Sequence, residues 1–157
     1  MIECLLRMKR LFFDMDGVLA DFDSGLAKVD ENIKKEYEGH YDRIPGLFSL
    51  MSPTEGAVKA VKILAKHYDV FILSTAPWRN PSAWSDKRLW VSKYFHGIFY
   101  KKIFITHRKD LVMGDYLIDD RDRNGASEFS GKWIQFGSDE FPDWNSVISY
   151  LSKTDKW

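Results

Sequence analysis

Two pairs of carboxylates, a hydroxyl and an amine are spaced along this chain so that a single sheet edge would collect them. Asp14 and Asp16 stand in DMDGVLADF, directly after a short apolar run, and Asp119 and Asp120 stand together in LIDDR after another. Thr75 sits in STAP after a third run, and Lys109 follows a fourth. Three or four carboxylates gathered at one edge repel each other. A hard divalent cation relieves that cost, and an all-oxygen ligand set selects magnesium over softer metals. A lysine and a threonine beside them suit a phosphoryl group: the ammonium balances its charge, and the hydroxyl and nearby backbone N–H groups donate to its oxygens. Asp14 is then placed to attack phosphorus, once the metal holds the phosphate in line and screens the repulsion between two anions. Asp16, two residues on, is placed to protonate the leaving oxygen and then to deprotonate the water that cleaves an aspartyl-phosphate. Such an acid must hold its proton while a group leaves, so its surroundings are expected to raise its pKa.

The elements that must position these groups follow from the apolar pattern. Buried strands are expected at 10–13, 70–73, 103–105, 116–118 and 133–136. Residues 21–38 have a helical pattern, with Leu26, Val29 and Ile33 at helical spacing and charges between them. Ser52-Pro53-Thr54-Glu55 is a plausible helix start for the apolar stripe Ala57, Val58, Val61, Ile63, Leu64 and Ala65. Further helices are expected at 81–95, whose aromatics read as packing, and from Phe141-Pro142-Asp143-Trp144 through Leu151. The stretch 39–51 carries turn signals and aromatics with an exposed look, and reads as a loop or small insertion. Gly114-Asp115 precedes the fourth strand and reads as a turn. Short apolar strands alternating with amphipathic helices imply an α/β fold: a Rossmann-like open parallel sheet of about five strands with helices on both faces. Such sheets bind ligands beyond the carboxyl ends of their strands, where Asp14, Thr75, Asp119 and Asp120 fall. No repeat or linker divides residues 1–157, so one domain is expected.

Composition removes some classes of function. Lys plus Arg number 23 and Asp plus Glu 23, and that balance argues against a nucleic acid polymer held by bulk charge while leaving room for a small anion. Cys4 is the only cysteine, which rules out an intrachain disulfide and fits a reducing, cytoplasmic compartment. The N-terminal segment lacks the apolar core and small-residue cleavage site of a signal peptide, and no later run is long enough to span a membrane. Met8 is an alternative start.

Taken in order, DMDGVLADF, STAP, Lys109 and LIDDR resemble motifs one to four of the haloacid dehalogenase-like phosphatases, and most closely those of the 5'(3')-deoxyribonucleotidases. Gly56-Ala57-Val58 with Ala60-Val61, and Trp90-Val91 with Lys93-Tyr94-Phe95, also resemble that subgroup, so the likeness runs over roughly residues 9 to 150. The resemblance implies Mg2+ as cofactor and a small phosphorylated substrate, a pyrimidine deoxynucleoside monophosphate in the subgroup. It makes Asp14 the nucleophile and Asp16 the acid/base, and gives the phosphate to Thr75 and Lys109. It gives the metal to Asp14, the backbone carbonyl of Asp16 and Asp120, with Asp119 assisting. It places Phe22 near the nucleoside, Lys87 as a second lysine near the phosphate, and a small helical cap over about 22–52. There are departures. That cap segment is shorter than in the subgroup, where it supplies an aromatic base-binding cluster; Tyr37, Tyr41 and Phe48 are the candidates to replace it. His107, with Arg108 beside it, stands where the subgroup has an arginine before the motif-three lysine.

Three other readings compete. The substrate could be another small phosphate ester, with the short cap leaving the site open. A receiver-like phosphoacceptor also combines an acidic pair, an aspartate, a threonine and a lysine, but presents its acidic pair first, whereas here the pair comes last. A non-catalytic binding protein is opposed by the complete set of carboxylates.

Overall fold

The computed structural model describes residues 7–157, so Cys4 lies outside the described residues. Five strands form one parallel sheet: β1 (Arg10–Phe13), β4 (Asp69–Ser74), β5 (Ile103–Ile105), β6 (Tyr116–Asp119) and β7 (Lys132–Gln135), in the order β5-β4-β1-β6-β7. β1 is central. Phe13 lies opposite Ile72 of β4 on one side and Ile118 of β6 on the other. The two remaining strands, β2 (Ala20–Asp21) and β3 (Ser52–Pro53), make a small antiparallel pair beyond the end of β1.

Alternate residues of each strand enter different cores, as the pleat requires. Leu11, Phe13, Val70, Ile72, Tyr116 and Ile118 join the larger cluster, and Phe12, Leu73 and Leu117 join a smaller one. The larger cluster takes the buried apolar residues of α4 (Ala57–Leu64), α5 (Ser82–Phe95) and α6 (Trp144–Asp155). The smaller one is closed by Val112, Ala126 and Phe129, from connections with no α-helix. The expected α/β class holds, but the expectation of helices on both faces needs this refinement. Right-handed crossovers put the links β1→β4→β5 on one face and the returning links β5→β6→β7 on the other. On the return side the links have shrunk to a 3₁₀ turn at Lys109–Leu111 and an irregular segment.

Three local expectations are corrected. The helix over 21–38 is two short helices, α1 (Phe22–Leu26) and α2 (Glu31–Glu36). Asp21 accepts from Ser24 N and Asp30 from Asn32 N, so each aspartate starts a helix of its own. Ser52 and Pro53 do not begin α4 but pair with β2. Thr54 holds them there, donating through its N–H to Leu19 O (2.9 Å) and through Oγ1 to Val18 O (2.6 Å), and α4 starts only after Gly56. The segment 39–51 contains a 3₁₀ turn (Tyr41–Arg43) and α3 (Leu47–Leu50), and Phe48 is buried, not exposed. No helix of the described residues is long and apolar enough to cross a membrane.

Candidate active site

Asp14 extends the central strand by one residue, its N–H donating to Ile118 O at 2.9 Å, and its side chain is buried where β4 and β6 also end. The chain then turns sharply, with Gly17 N bonded to Ala20 O and three further N–H groups converging on Met15 O. Gly17 is required at this turn for two reasons. Its φ is +77°, and a Cβ on it would lie 2.3 Å from Asp120 Oδ2. Asp119 and Asp120 come from the end of β6, and Asp14, Asp119 and Asp120 each offer an oxygen, all within 4.8 Å of one another. Lys109 closes the group. Its buried ammonium donates to Asp119 Oδ2 and lies 3.2 Å from Asp14 Oδ1, while its own N–H is held by Asn124 O at 2.8 Å.

The electrostatics describe an acidic set short of positive charge. Burial pushes the Asp119 carboxyl up, and the Asp14 charge adds to this against Lys109. Burial likewise raises Asp120, with Arg121 opposing and Asp14 adding. Burial works against a charged Lys109, but Asp14 and Asp119 together hold its pKa up. Asp120 Oδ1 is buried and has no hydrogen-bond partner. Three hard oxygen donors, one of them unpartnered, fit a divalent cation.

Asp16 sits apart from this cluster, at the near side of the turn. Lys87, from α5, reaches under it. Its fully buried ammonium donates to Asp16 Oδ2 (2.7 Å), Ser74 Oγ (3.0 Å) and Thr75 O (2.8 Å). Burial raises the Asp16 pKa, with Lys87 pulling it down and Asp14 adding to the rise.

These groups line a cavity of about 750 Å³. Asp14, Asp16, Thr75, Lys109, Asp119 and Asp120 face it, and so do Phe22, Tyr41, Phe48 and His107. Lys87 and Tyr37 are not on its wall. Lys87 is spent on Asp16 and the end of β4, and Tyr37 packs against the core. Thr75 Oγ1 donates to Thr106 O (2.7 Å), so its proton must leave Thr106 before it can serve a phosphate. The cavity also takes Asp21 and Arg121, which lie in the quoted motifs without a role of their own, and Asp23, Asp42, Arg123 and Asn124, which were not picked out from the sequence. For Arg123 and Asn124 a signal existed, since they continue the motif LIDDRDRN directly. Asp42, in the insertion, carried none.

The parallel sheet, with paired carboxylates at the ends of β1 and β6 and a lysine between them, defines a haloacid dehalogenase-like hydrolase, a phosphoric monoester hydrolase. Solved structures share the fold. The chain matches the "putative HAD-hydrolase YfnB" of Bacillus subtilis bound to magnesium over 92% of its own length and 99% of that chain, with a TM-score of 0.59 and 13% identity. It matches a HAD-superfamily hydrolase, subfamily IA, of Geobacter sulfurreducens over 92% and 96%, with a TM-score of 0.60 and 14% identity. Sequence relatives narrow the class. The family described as "5' nucleotidase, deoxy (Pyrimidine), cytosolic type C protein" matches residues 24–157. A "Putative 5'(3')-deoxyribonucleotidase" of Vibrio phage KVP40 is 50% identical, over 99% of this chain and 95% of that one. Another, R824 of Acanthamoeba polyphaga mimivirus, is 34% identical over 76% and 68%. The chain belongs to the 5'(3')-deoxyribonucleotidase family.

Proposed function

We propose that this enzyme is a magnesium-dependent nucleotidase that releases phosphate from (deoxy)nucleoside monophosphates through an aspartyl-phosphate on Asp14. The observation that carries the reading is Lys109 set between Asp14 and Asp119, beside the unpartnered Asp120 Oδ1. Asp14, Asp120 and the main-chain carbonyl of Asp16 would hold the Mg2+, with Asp119 assisting. When bound, the ion neutralises the carboxylates and the incoming phosphate. Lys109 adds charge on the phosphate, and Thr75 adds a hydroxyl once it leaves Thr106. Asp14 attacks phosphorus and the bond to the nucleoside oxygen breaks as Asp16 gives that oxygen its proton. Asp16 then takes a proton from water, the water oxygen bonds to phosphorus, and the Asp14 carboxylate is released with inorganic phosphate. The raised pKa of Asp16 supports its holding a proton for the first step. The insertion over 22–52 acts as the cap, giving the nucleoside a wall of Phe22, Tyr41 and Phe48. A cytoplasmic place of action belongs to the same reading and rests on the single cysteine.

Chelation with EDTA is expected to abolish turnover of p-nitrophenyl phosphate and added Mg2+ to restore it; turnover indifferent to chelation removes the metal. A panel of nucleoside monophosphates and sugar phosphates then tests the substrate. A flat response to every nucleotide removes the nucleotidase and leaves a phosphatase for another small ester. The turn after β1 gives a sharper probe. Gly17→Ala costs about 1–2 kcal/mol for its left-handed backbone alone, and the new methyl displaces Asp120. The Mg2+ concentration for half-maximal turnover is expected to rise by roughly 10- to 100-fold, as when groups that orient a ligand are lost. A Mg2+ titration unchanged from wild type would remove Asp120 from the metal site.

A further inference from the structure

Trp78 is 79% exposed, more than any other large apolar side chain of the described residues. It stands directly after Pro77, which lines the catalytic cavity, and its ring meets the imidazole of His107, another cavity residue, edge-on at 5.9 Å between centroids and 72° between planes. Trp84 approaches the same imidazole at 6.2 Å. His107, on the cavity wall, is thus flanked by two indoles that are not themselves on it.

The loop that presents Trp78 is braced at both ends. At its start Thr75 Oγ1 is bonded to Thr106 O, beside His107. At its far end Asn80 is buried, with Nδ2 donating to Asp42 O (2.9 Å) and Ile44 O (3.0 Å), and its Oδ1 accepts from Ser82 Oγ at 2.7 Å. The indole is held out to water by a fixed support. A large aromatic surface kept wet in this way has a favourable free energy of burial still to be realised, and ordering it in advance lowers the cost of binding to it.

We infer that Trp78, with His107 and Trp84 behind it, is a stacking platform for the nucleobase of a nucleotide whose phosphate lies at Asp14. This rests on the nucleotidase reading above and deepens it, because it adds a base-stacking surface on the loop after β4 to the nucleoside wall that the insertion supplies. Stacking reads the π-face that every base has and so tolerates changes of base. The substrate class is nucleoside monophosphates, and the platform itself does not select between purine and pyrimidine.

The test compares dTMP and dAMP with 2-deoxyribose 5-phosphate, which has the sugar and phosphate but no base, in wild type, Trp78→Ala and Trp78→Phe. In Trp78→Ala the ratio of kcat/KM for either nucleotide to kcat/KM for the baseless ester is expected to fall by roughly 5- to 100-fold, the factor that one stacked base carries. The fall should lie in KM, should be alike for dTMP and dAMP, and should be largely reversed in Trp78→Phe. A ratio within twofold of wild type overturns the platform while nucleotide turnover by the wild type keeps the nucleotidase. A fall confined to kcat, or to one base, also overturns it. Wild type that hydrolyses the baseless ester but neither nucleotide overturns the nucleotidase reading itself.

Discussion

Asp14→Asn lowers Mg2+-supported hydrolysis of p-nitrophenyl phosphate by on the order of 10,000-fold or more, and the protein stays folded. The amide has neither the charge nor the free oxygen pair to displace an ester oxygen from phosphorus, and it is a poorer ligand for a hard cation. The fold should survive for an electrostatic reason. The charge on Asp14 raises the pKa of Asp16, Asp119 and Asp120, so it opposes ionisation of all three neighbours. Removing it relieves that repulsion. The metal-free variant is therefore expected to melt at or above the wild-type temperature, and Lys109 still has Asp119 as partner. Turnover within tenfold of wild type would sink Asp14 as nucleophile. A variant that loses activity only because it unfolds would sink the charge balance described for the site.

Lys87→Met has the largest expected effect on stability and tests a different idea. Resemblance to relatives assigned Lys87 to the phosphate, whereas its ammonium is fully enclosed and spends its bonds on Asp16, Ser74 and the Thr75 carbonyl, with the Phe48 ring 5.0 Å away. Methionine fills similar volume and satisfies none of these acceptors. Breaking a buried ion pair from one side costs about 3–5 kcal/mol, a drop in Tm of roughly 6–20 °C for a chain of this size. Asp16 also loses the cation that opposes the rise in its pKa, together with the contact that fixes its position. Measured well below the new Tm, kcat is expected to fall on the order of 100-fold, the scale of a misplaced proton donor, with KM little changed. A variant with wild-type kcat would make Lys87 purely structural. A KM that rises while kcat holds would return it to the phosphate.

The five strands could be read from the chain because each is short with an apolar centre, and three of them stop at polar residues that stand at the sheet edge: Asp14, Ser74-Thr75 and Asp119-Asp120. That signal is local. What could not be read depended on distant partners. Ser52-Pro53 looked like a helix start because its β partner, Ala20–Asp21, lies far back in the sequence. Lys87, between Asp86 and Arg88 on a helix, was given to the phosphate by resemblance, because the carboxylate it pairs with is 71 residues away. Phe48 looked exposed in a segment of turns, yet it packs 5.9 Å from Phe22, which the sequence had set at the same cavity. The carboxylates and lysine of the site were legible as a set because each follows its own strand. The rest of the cavity wall was not, because Pro77, Asp42 and Arg123 reach it from turns and irregular segments with no period to follow.

The insertion is fastened to the core at several points. Trp90 Nε1 donates to Met51 O (2.8 Å), Asn80 holds the Asp42 and Ile44 carbonyls, and Gly46 N donates to Ser82 Oγ (3.0 Å). Three of these bonds fall where a hinged flap would have to part from the body of the protein. Under the proposed function, substrate is then expected to enter through a standing doorway, with no shutter whose swing turnover must wait for. Solvent viscosity is then expected to slow only the arrival of substrate and the escape of product. On that reading the chemical step is expected to keep its own pace, with the site open to water throughout.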